Sequence, residues 1–137
     1  MLPDVDRANS TRAQQIGDEG EQIAAARLER AGWRMLGRNV RIGRSELDII
    51  AVDPGPPAWL VVVEVRARGR RDYGLPEETL DHRKRAALRR GIGELLAAGV
   101  LPDGTPLPRL SLRFDLVAVD RGPDGHEAVR HHRGVPL

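Results

Sequence analysis

The sequence has no cysteine and very few aromatic residues, which make up 3% of its 137 positions. Without cysteine the chain can form no disulfide, no zinc–thiolate site and no cysteine nucleophile. The scarcity of aromatic side chains argues against a protein that binds nucleic acid by stacking on its bases. No apolar run approaches the roughly 20 residues that span a bilayer, and residues 1–12 lack the apolar stretch of a secretory signal. We therefore expect a cytoplasmic protein with no membrane contact.

Positive charge is supplied almost entirely by arginine and is concentrated in two segments. Lys84 is the only lysine among the 22 basic residues, and the formal net charge is only +2. Two basic clusters suit a polyanion such as nucleic acid, although solvated helix and loop faces would explain them equally well. The clusters consist of Arg66, Arg68, Arg70 and Arg71, and of Arg83, Lys84, Arg85, Arg89 and Arg90.

Length and periodicity predict one α/β domain over 11–137, after a disordered N-terminus over 1–10. The first helix, 11–31, stops at Gly32. Two apolar segments flank a Pro/Gly turn and predict an antiparallel hairpin. The remaining elements are predicted to be strands at 33–41, 45–52, 59–68, 110–119 and 127–132 and a second helix at 76–98, broken near Leu80. The order α-β-β-β-α-β indicates a mixed β-sheet flanked by helices.

Two acidic residues interrupt the apolar strands of the predicted hairpin. Side chains alternate between the two faces of a strand. Alternation places Leu47, Ile49 and Ala51 on one face of the first strand and Asp48 on the other. In the second strand, the odd-numbered apolar residues from Val61 to Ala67 alternate onto one face, and Glu64 lies on the other. If the hairpin forms, Asp48 and Glu64 therefore point the same way from neighbouring strands.

A pair of carboxylates in an apolar sheet has two explanations. Burial of a carboxylate is costly unless a cation compensates it, and two adjacent carboxylates also repel each other. Asp48 and Glu64 either hold a hard divalent cation, which prefers oxygen ligands, or Glu64 belongs to a structural ion network with Arg66, Arg68 or Arg113. The pattern alone leaves both explanations open.

Each predicted helix carries one charged residue on its apolar face. Glu21 shares the apolar face of the first helix, where Gly17 and Gly20 permit the close approach of another element. Lys84 lies within the apolar stripe of the second helix, in a chain that otherwise uses arginine. The alternatives without function are a Glu21 at the rim of its stripe and a snorkelling Lys84. Both residues are candidates for the site.

A series of short motifs follows in order along residues 14–120. They are Gly17-x-x-Gly20-Glu21-x-x-Ala24, Gly32, Arg38-Asn39, Glu46-Leu-Asp48-Ile-Ile50-Ala51, Val63-Glu64-Val65-Arg66-x-Arg68, Tyr73-Gly74, Lys84 and Arg113-Phe-Asp115. Together they resemble the YraN family of bacterial proteins, which is related to restriction endonucleases and Holliday-junction resolvases. The resemblance implies a restriction-endonuclease-like core of the PD-(D/E)xK type with a metal-dependent nuclease site.

The resemblance assigns roles by position. It implies that Glu21 is the helix acid, Asp48 the strand acid and Glu64 the acid of the E-x-K element, and Lys84 matches a lysine of the second helix. It further implies that Mg²⁺ or Mn²⁺ is held by Asp48, Glu64 and the backbone carbonyl of Val65. The function implied is hydrolysis of a DNA phosphodiester.

Two positions depart from the family pattern. Ser45-Glu46 stands where the family usually has Gly-Glu, and Arg66 stands where the E-x-K element ends in lysine. An arginine stays protonated, so it can orient groups or stabilise charge but cannot act as a base. Either Arg66 is an electrostatic clamp on the phosphate, or Lys84 takes the lysine role, or catalysis is lost.

The remaining expectations concern partners. Arg68, Arg70 and Arg71 would hold the DNA backbone beside the site in a salt-dependent way. A catalytically inactive nucleic-acid-binding module that retains the fold is the rival function, and a structural subunit with ion-paired acids is the third. Because resolvase-like enzymes often dimerise, a homodimer through the hairpin 45–68 is also an expectation.

Overall fold

The computed structural model describes residues 11–69, 74–121 and 124–137, which form one sheet with a helix on each face. The predicted disordered segment 1–10 lies outside these residues. The elements in chain order are α1 (Arg12–Arg30), β1 (Arg34–Ile42), β2 (Ser45–Asp53), β3 (Trp59–Arg68), a 3₁₀ turn (Pro76–Thr79), α2 (His82–Ala98), β4 (Leu112–Arg121) and β5 (Glu127–His132). No helix in the described part of the chain is long and apolar enough to cross a membrane.

Local sequence signals set the helix boundaries. Thr11 begins α1 with a capping box, in which Thr11 and Gln14 each accept a hydrogen bond from the other's backbone. Gly32, with φ of +90°, follows the end of α1 as predicted. The predicted break near Leu80 is confirmed, because a 3₁₀ turn precedes α2 and Asp81 caps α2 by accepting a hydrogen bond from Lys84 N.

The sheet has the strand order β1-β2-β3-β4-β5, which confirms a mixed sheet of the α/β class. The predicted hairpin is confirmed, since β2 and β3 pair antiparallel with Ile49 opposite Val63. The pair β3–β4 is parallel, and such a pair needs a crossover, here built with α2. Both hairpin strands have partners on either side, so β1 and β5 form the edges of this sheet. A homodimer stays a prediction.

The sheet separates two apolar cores. On the α1 side, Ala24 and Leu28 pack against alternate residues of β3, among them Val61 and Val63. On the α2 side, Leu88 and other residues of that helix pack against the opposite face of the sheet. Because β3 is buried on both faces, its sequence reads as a nearly continuous run of valines. Because both faces of β3 are covered, the one acid of this strand, Glu64, is buried as well.

The predicted alternation along β2 is wrong at Leu47. Leu47 packs in the α2-side core, whereas Ile49 and Ala51 pack in the α1-side core. The regular β2–β3 pairing ends at Ile49 opposite Val63, so the two strands separate beyond this point. Asp48 lies where the two strands separate. Its carboxylate accepts a hydrogen bond from Val65 N of β3, which in a regular ladder would donate to a backbone carbonyl. The strand therefore changes face at Asp48.

Glycines allow both helices to approach the sheet. A Cβ on Gly20 of α1 would lie 2.7 Å from the Cβ of Ala67, which confirms the predicted close approach there. At Gly17, no atom of the described residues lies within 4 Å of a Cβ, so the predicted close approach is not observed there. In α2, a Cβ on Gly91 would lie 2.8 Å from the Cβ of Ser45. The hydroxyl of Ser45 donates to Ala87 O of α2 at 2.8 Å, which holds the start of β2 against the helix.

Gly91→Ala is expected to destabilise the protein relative to Gly93→Ala. Overpacking costs about 1–3 kcal/mol, which exceeds the gain of up to about 1 kcal/mol that alanine brings to a helix interior. Gly93 lies in the same helix and has no atom within 4 Å of a Cβ, so its replacement should stabilise by about 0.5–1 kcal/mol. Urea denaturation of the two variants measures the difference, and equal stability would contradict the close contact at Ser45.

Candidate functional site

A polar cleft of about 470 Å³ opens where β2 and β3 separate. The two helices, both strands and the 3₁₀ turn all contribute to it. Its lining residues are Ala13, Gly17, Glu21, Asp48, Glu64, Val65, Arg66, Ala67, Arg68, Thr79 and Lys84. The structure therefore brings the five predicted catalytic residues to one place, together with Val65 and Arg68. Their chemical roles stay predictions.

Asp48 is held in the gap between the two strands. Its Oδ2 accepts a hydrogen bond from Val65 N at 2.9 Å, and the residue is buried. Burial raises the pKa of Asp48 above its usual value, while the Val65 N–H and the charge of Lys84 oppose the rise. The backbone bond fixes the carboxylate in the plane of the sheet, where it faces β3.

Glu64 is almost fully buried, with 1% of its surface exposed. Its Oε1 lies 3.6 Å from Arg66 Nη1 and 3.6 Å from Lys84 Nζ. Its Oε2 is buried, and within the described ranges no group donates a hydrogen bond to it when Asp48 is ionised. Burial first, and the neighbouring Asp48 second, raise the pKa of Glu64 to about 8 despite the two cations. Without further positive charge the pair therefore retains a proton on Glu64 at neutral pH, shared with Asp48.

Glu21 reaches the same cleft from α1. Its burial and the charge of Asp48 raise its pKa to about 7, and the side-chain amide of Asn39 opposes this rise. Asn39 lies across from Asp48 in β1 and has φ of +51°, the left-handed region in which asparagine is tolerated better than most residues. Asn39 was part of the family resemblance only. No local pattern in the sequence could have singled it out as a neighbour of Glu21.

The acids do not form a complete protein cage for a cation. Within the described ranges, no three His, Asp or Glu side chains are close enough together to hold a metal ion. Asp48 and Glu64 share the separation between the strands, and Glu21 acts on Asp48 through its charge. Any cation in this cleft would depend on two carboxylates together with backbone or water oxygens.

The two predicted cations are held in different ways. Lys84 lies in the first turn of α2, and its ammonium group points to Glu64 rather than snorkelling away from the core. The guanidinium of Arg66 is bound to Thr79 through Nε, 2.5 Å from Oγ1, and through Nη2, 3.4 Å from the carbonyl oxygen. Sequence analysis missed Thr79, because its contact with Arg66 joins two elements and follows no periodic pattern.

The basic clusters are only partly available to a polyanion. Arg68 lines the cleft, and its buried Nε has no hydrogen-bond partner in the part of the chain that the structure describes. Arg70 and Arg71 lie outside that part. In α2, Arg85 Nη1 donates to the backbone oxygen of Pro136 at 2.6 Å and Arg89 Nη1 to that of Leu137 at 2.9 Å. These two arginines hold the C-terminal segment on α2.

The proposed ion network of Glu64 exists with Arg66 but not with Arg113. Arg113 lies on β4, where its guanidinium binds Asp53 and Asp115 at 2.8–2.9 Å. Asp115 is fully buried and also accepts hydrogen bonds from His131, at 2.8 Å, and Gly134 N. Despite burial, these partners lower the pKa of Asp115 to about 2. This second acidic cluster is fully satisfied, and sequence analysis did not identify it.

Comparison with known proteins gives a consistent result. The sequence model described as "Uncharacterised protein family UPF0102" matches residues 20–119. A UPF0102 protein of Symbiobacterium thermophilum is 40% identical over 113 residues, which cover 82% of this chain and 88% of that protein. A UPF0102 protein of Roseiflexus castenholzii is 39% identical over 121 residues, covering 88% and 91% of the two chains. The matched region contains every candidate site residue named above.

Glu64→Gln is expected to reduce the fall of stability with rising pH and to remove the part of it between about pH 7 and 8. Because the pKa of Glu64 is raised from 4.5 to about 8, the folded state retains a proton that the unfolded chain releases near pH 4.5. Glu64 should therefore lower the free energy of unfolding of the metal-free protein as the pH rises from about 4.5 to about 8, by at most about 1.4 kcal/mol per pH unit, and the raised pKa of Glu21 adds to this fall up to about pH 7. Urea denaturation in EDTA at several pH values measures this slope.

The control for this experiment is Glu29→Gln, which changes an exposed carboxylate on α1. It should follow the wild-type curve, while Glu64→Gln should be flatter between pH 5 and 8. If Glu64→Gln and Glu29→Gln show the same slope, the buried carboxyl does not retain its proton.

Proposed function

This chain belongs to the uncharacterised protein family UPF0102, and we propose that it is a metal-dependent nuclease that hydrolyses DNA phosphodiesters in the cleft of Asp48 and Glu64. The observation that carries the proposal is the buried Oε2 of Glu64: when Glu64 and Asp48 are both ionised, no described group donates a hydrogen bond to it, and only a proton shared with Asp48 offsets its burial. A structural ion pair would satisfy both oxygens, as the cluster around Asp115 does. An oxygen left without a partner suits a ligand.

The architecture supports a restriction-endonuclease-like core. A mixed sheet with one helix on each face carries the acids on two adjacent strands, and a second helix brings a lysine to them. The resemblance to the YraN family implies the same core and the same positions. A cytoplasmic location belongs to this proposal as well.

The donor set fits a hard divalent cation. Asp48 and Glu64 offer carboxylate oxygens, and the carbonyl of Val65 is the third candidate ligand on the same edge. Mg²⁺ commonly uses one or two protein carboxylates and retains several waters, which fits a cleft where the described residues form no group of three acids close enough to hold an ion. A bound Mg²⁺ or Mn²⁺ would supply Lewis-acid polarisation of the phosphoryl oxygen and a more acidic attacking water. Proton release from Glu64 would accompany binding.

The geometry favours Lys84 for the lysine role. Its Nζ lies beside Glu64 on a flexible stem, and lysine is the cation that can both orient water and shift its pKa. Arg66 is bound to Thr79 and Glu64 and keeps its charge, so it acts as an electrostatic clamp. Together they would stabilise the charge that develops on the phosphate. Glu21 would orient water on the α1 side of the cleft.

The DNA backbone beside the site would be held by Arg68, Arg70 and Arg71. Phosphate contacts by arginine release counterions, so this binding should weaken steeply with salt. The second candidate function is a catalytically inactive nucleic-acid-binding module. One observation favours it: Arg66 stands where the family resemblance leads us to expect a lysine.

Mn²⁺ is expected to raise the melting temperature of the wild-type protein. A ligand at 100 times its Kd adds about 2.7 kcal/mol when only the native state binds it, which corresponds to roughly 5–10 °C for a domain of this size. Asp48→Asn keeps an oxygen that can accept from Val65 N, but it removes the charge, so its melting temperature should not respond to Mn²⁺. The control is Asp81→Asn, because asparagine caps a helix as well as aspartate does. A wild type that ignores Mn²⁺ and Mg²⁺ would refute the metal site.

Lys84→Gln is expected to lower the rate of DNA cleavage on the order of 10²-fold, the usual cost of losing one charge-stabilising group. The control is Arg83→Gln on the neighbouring, exposed position of α2, which should change the rate less than threefold. The measurement is single-turnover cleavage of branched and flapped DNA with Mn²⁺. If wild type and Asp48→Asn are equally inert on these substrates but still bind them, the inactive binding module replaces the nuclease.

A further inference from the structure

We propose that Thr79 is a positioning residue that keeps Arg66 away from the oxygen of Glu64 on which the metal would bind. The inference rests on the proposed function. It concerns the 3₁₀ turn Pro76–Thr79, which the sequence marked only as a break before α2. The turn contacts both β3 and β4 and contributes Thr79 to the cleft.

The hydroxyl of Thr79 has a fixed orientation. It donates its proton to Pro76 O at 2.6 Å, within the same turn. Its lone pairs are therefore left to accept, and Arg66 Nε donates to them at 2.5 Å. The carbonyl of Thr79 accepts from Arg66 Nη2 at 3.4 Å. Thr79 thus accepts from both donors of the Nε–Nη2 edge of the planar guanidinium, which leaves Nη1 as the group that faces Glu64.

The shortest contacts of both cations of the cleft are to the same oxygen of Glu64. Arg66 Nη1 and Lys84 Nζ are each 3.6 Å from Oε1, and Oε2 is the oxygen without a partner. A free arginine would gain by forming a bidentate pair with both oxygens of a buried carboxylate. The bonds to Thr79 prevent this rotation. They thereby preserve Oε2 for a ligand, at the cost of a weaker arginine–carboxylate pair.

The turn itself is anchored to the edge strand β5. Glu77 accepts from Arg130 Nε at 2.6 Å and Nη2 at 2.8 Å, and its Oε2 lies 2.9 Å from His132 Nε2. These contacts hold the pKa of Glu77 at about 2, so the ion pair persists through the neutral range. The anchor explains why Thr79 can hold Arg66 in place: the turn is fixed at its acidic residue to a separate strand.

The test compares Mn²⁺ affinity across a set of variants by calorimetry, which requires no catalytic activity. Thr79→Val keeps the side-chain shape but cannot accept from Arg66, so Mn²⁺ should bind about tenfold more weakly. Thr79→Ser keeps the hydroxyl and should bind within twofold of wild type. In an Arg66→Gln background, Thr79→Val should cause no further loss, because no arginine is left to compete for Oε2. Thr105→Val, which removes a half-buried threonine hydroxyl in a distant loop, is the matched control.

A second measurement observes Arg66 directly. In nitrogen–proton spectra, the Nε–H resonance of Arg66 is identified by its loss in Arg66→Gln. It should be protected from exchange in wild type and Thr79→Ser, and unprotected in Thr79→Val. An equal loss of affinity in both backgrounds, or a protected resonance in Thr79→Val, would overturn the proposal. If wild type binds no Mn²⁺, the proposed function fails, and the resonance alone decides whether Thr79 holds Arg66.

Discussion

The burial of Glu64 is the constraint on which the rest of the site depends. A carboxylate in the middle of a strand that is apolar on both faces loses most of its hydration, and this loss costs several kcal/mol unless other groups compensate it. Lys84 and Arg66 supply partial compensation at 3.6 Å. Asp48 lies beside it and adds repulsion. The charged form of Glu64 is therefore only partly compensated. A residue of this kind lowers the stability of an apolar interior.

The two buried acidic clusters described above differ in how completely their negative charge is compensated. Asp115 is as buried as Glu64, but arginine, histidine and backbone donors surround it, and its pKa falls to about 2. The shortest contacts of Lys84 and Arg66 are both to Oε1 of Glu64, no described group donates a hydrogen bond to Oε2, and burial raises the pKa of Glu64 to about 8. The same chain therefore contains one acid that is satisfied by the fold and one that is not. The second is the one at which we propose a cation.

The sequence was sufficient for those features that depend on local pattern. The valines of β3 predicted its bounds, and a period of two predicted that Asp48 and Glu64 point the same way from neighbouring strands of a hairpin. Periodicity failed at Leu47, because strand separation at Asp48 replaces a backbone hydrogen bond by a side-chain one and shifts the face of the strand. A regular repeat cannot describe a position where the ladder ends.

The sequence pattern could not predict contacts between elements that are far apart along the chain. The bonds of Thr79 to Arg66 and of Glu77 to Arg130 join a short turn to two separate strands. Nothing in the spacing of these residues distinguishes them from a solvated polar turn. Asn39 is similar, since its left-handed backbone and its position beside Glu21 become apparent only when β1 is paired with β2.

The position of Lys84 is the point at which local rules and the site conflict most clearly. The first turn of a helix carries a partial positive charge and favours acidic residues, yet α2 begins with His82, Arg83 and Lys84 and has no acid in its first turn. The cap by Asp81 offsets only part of this conflict. Natural sequences break local rules chiefly where function requires it. The buried carboxylate of Glu64 explains this exception, because Lys84 at the start of α2 places its ammonium group beside that carboxylate. The unfavourable position of the Lys84 charge at the start of α2 is offset by the compensation that it provides for the buried Glu64.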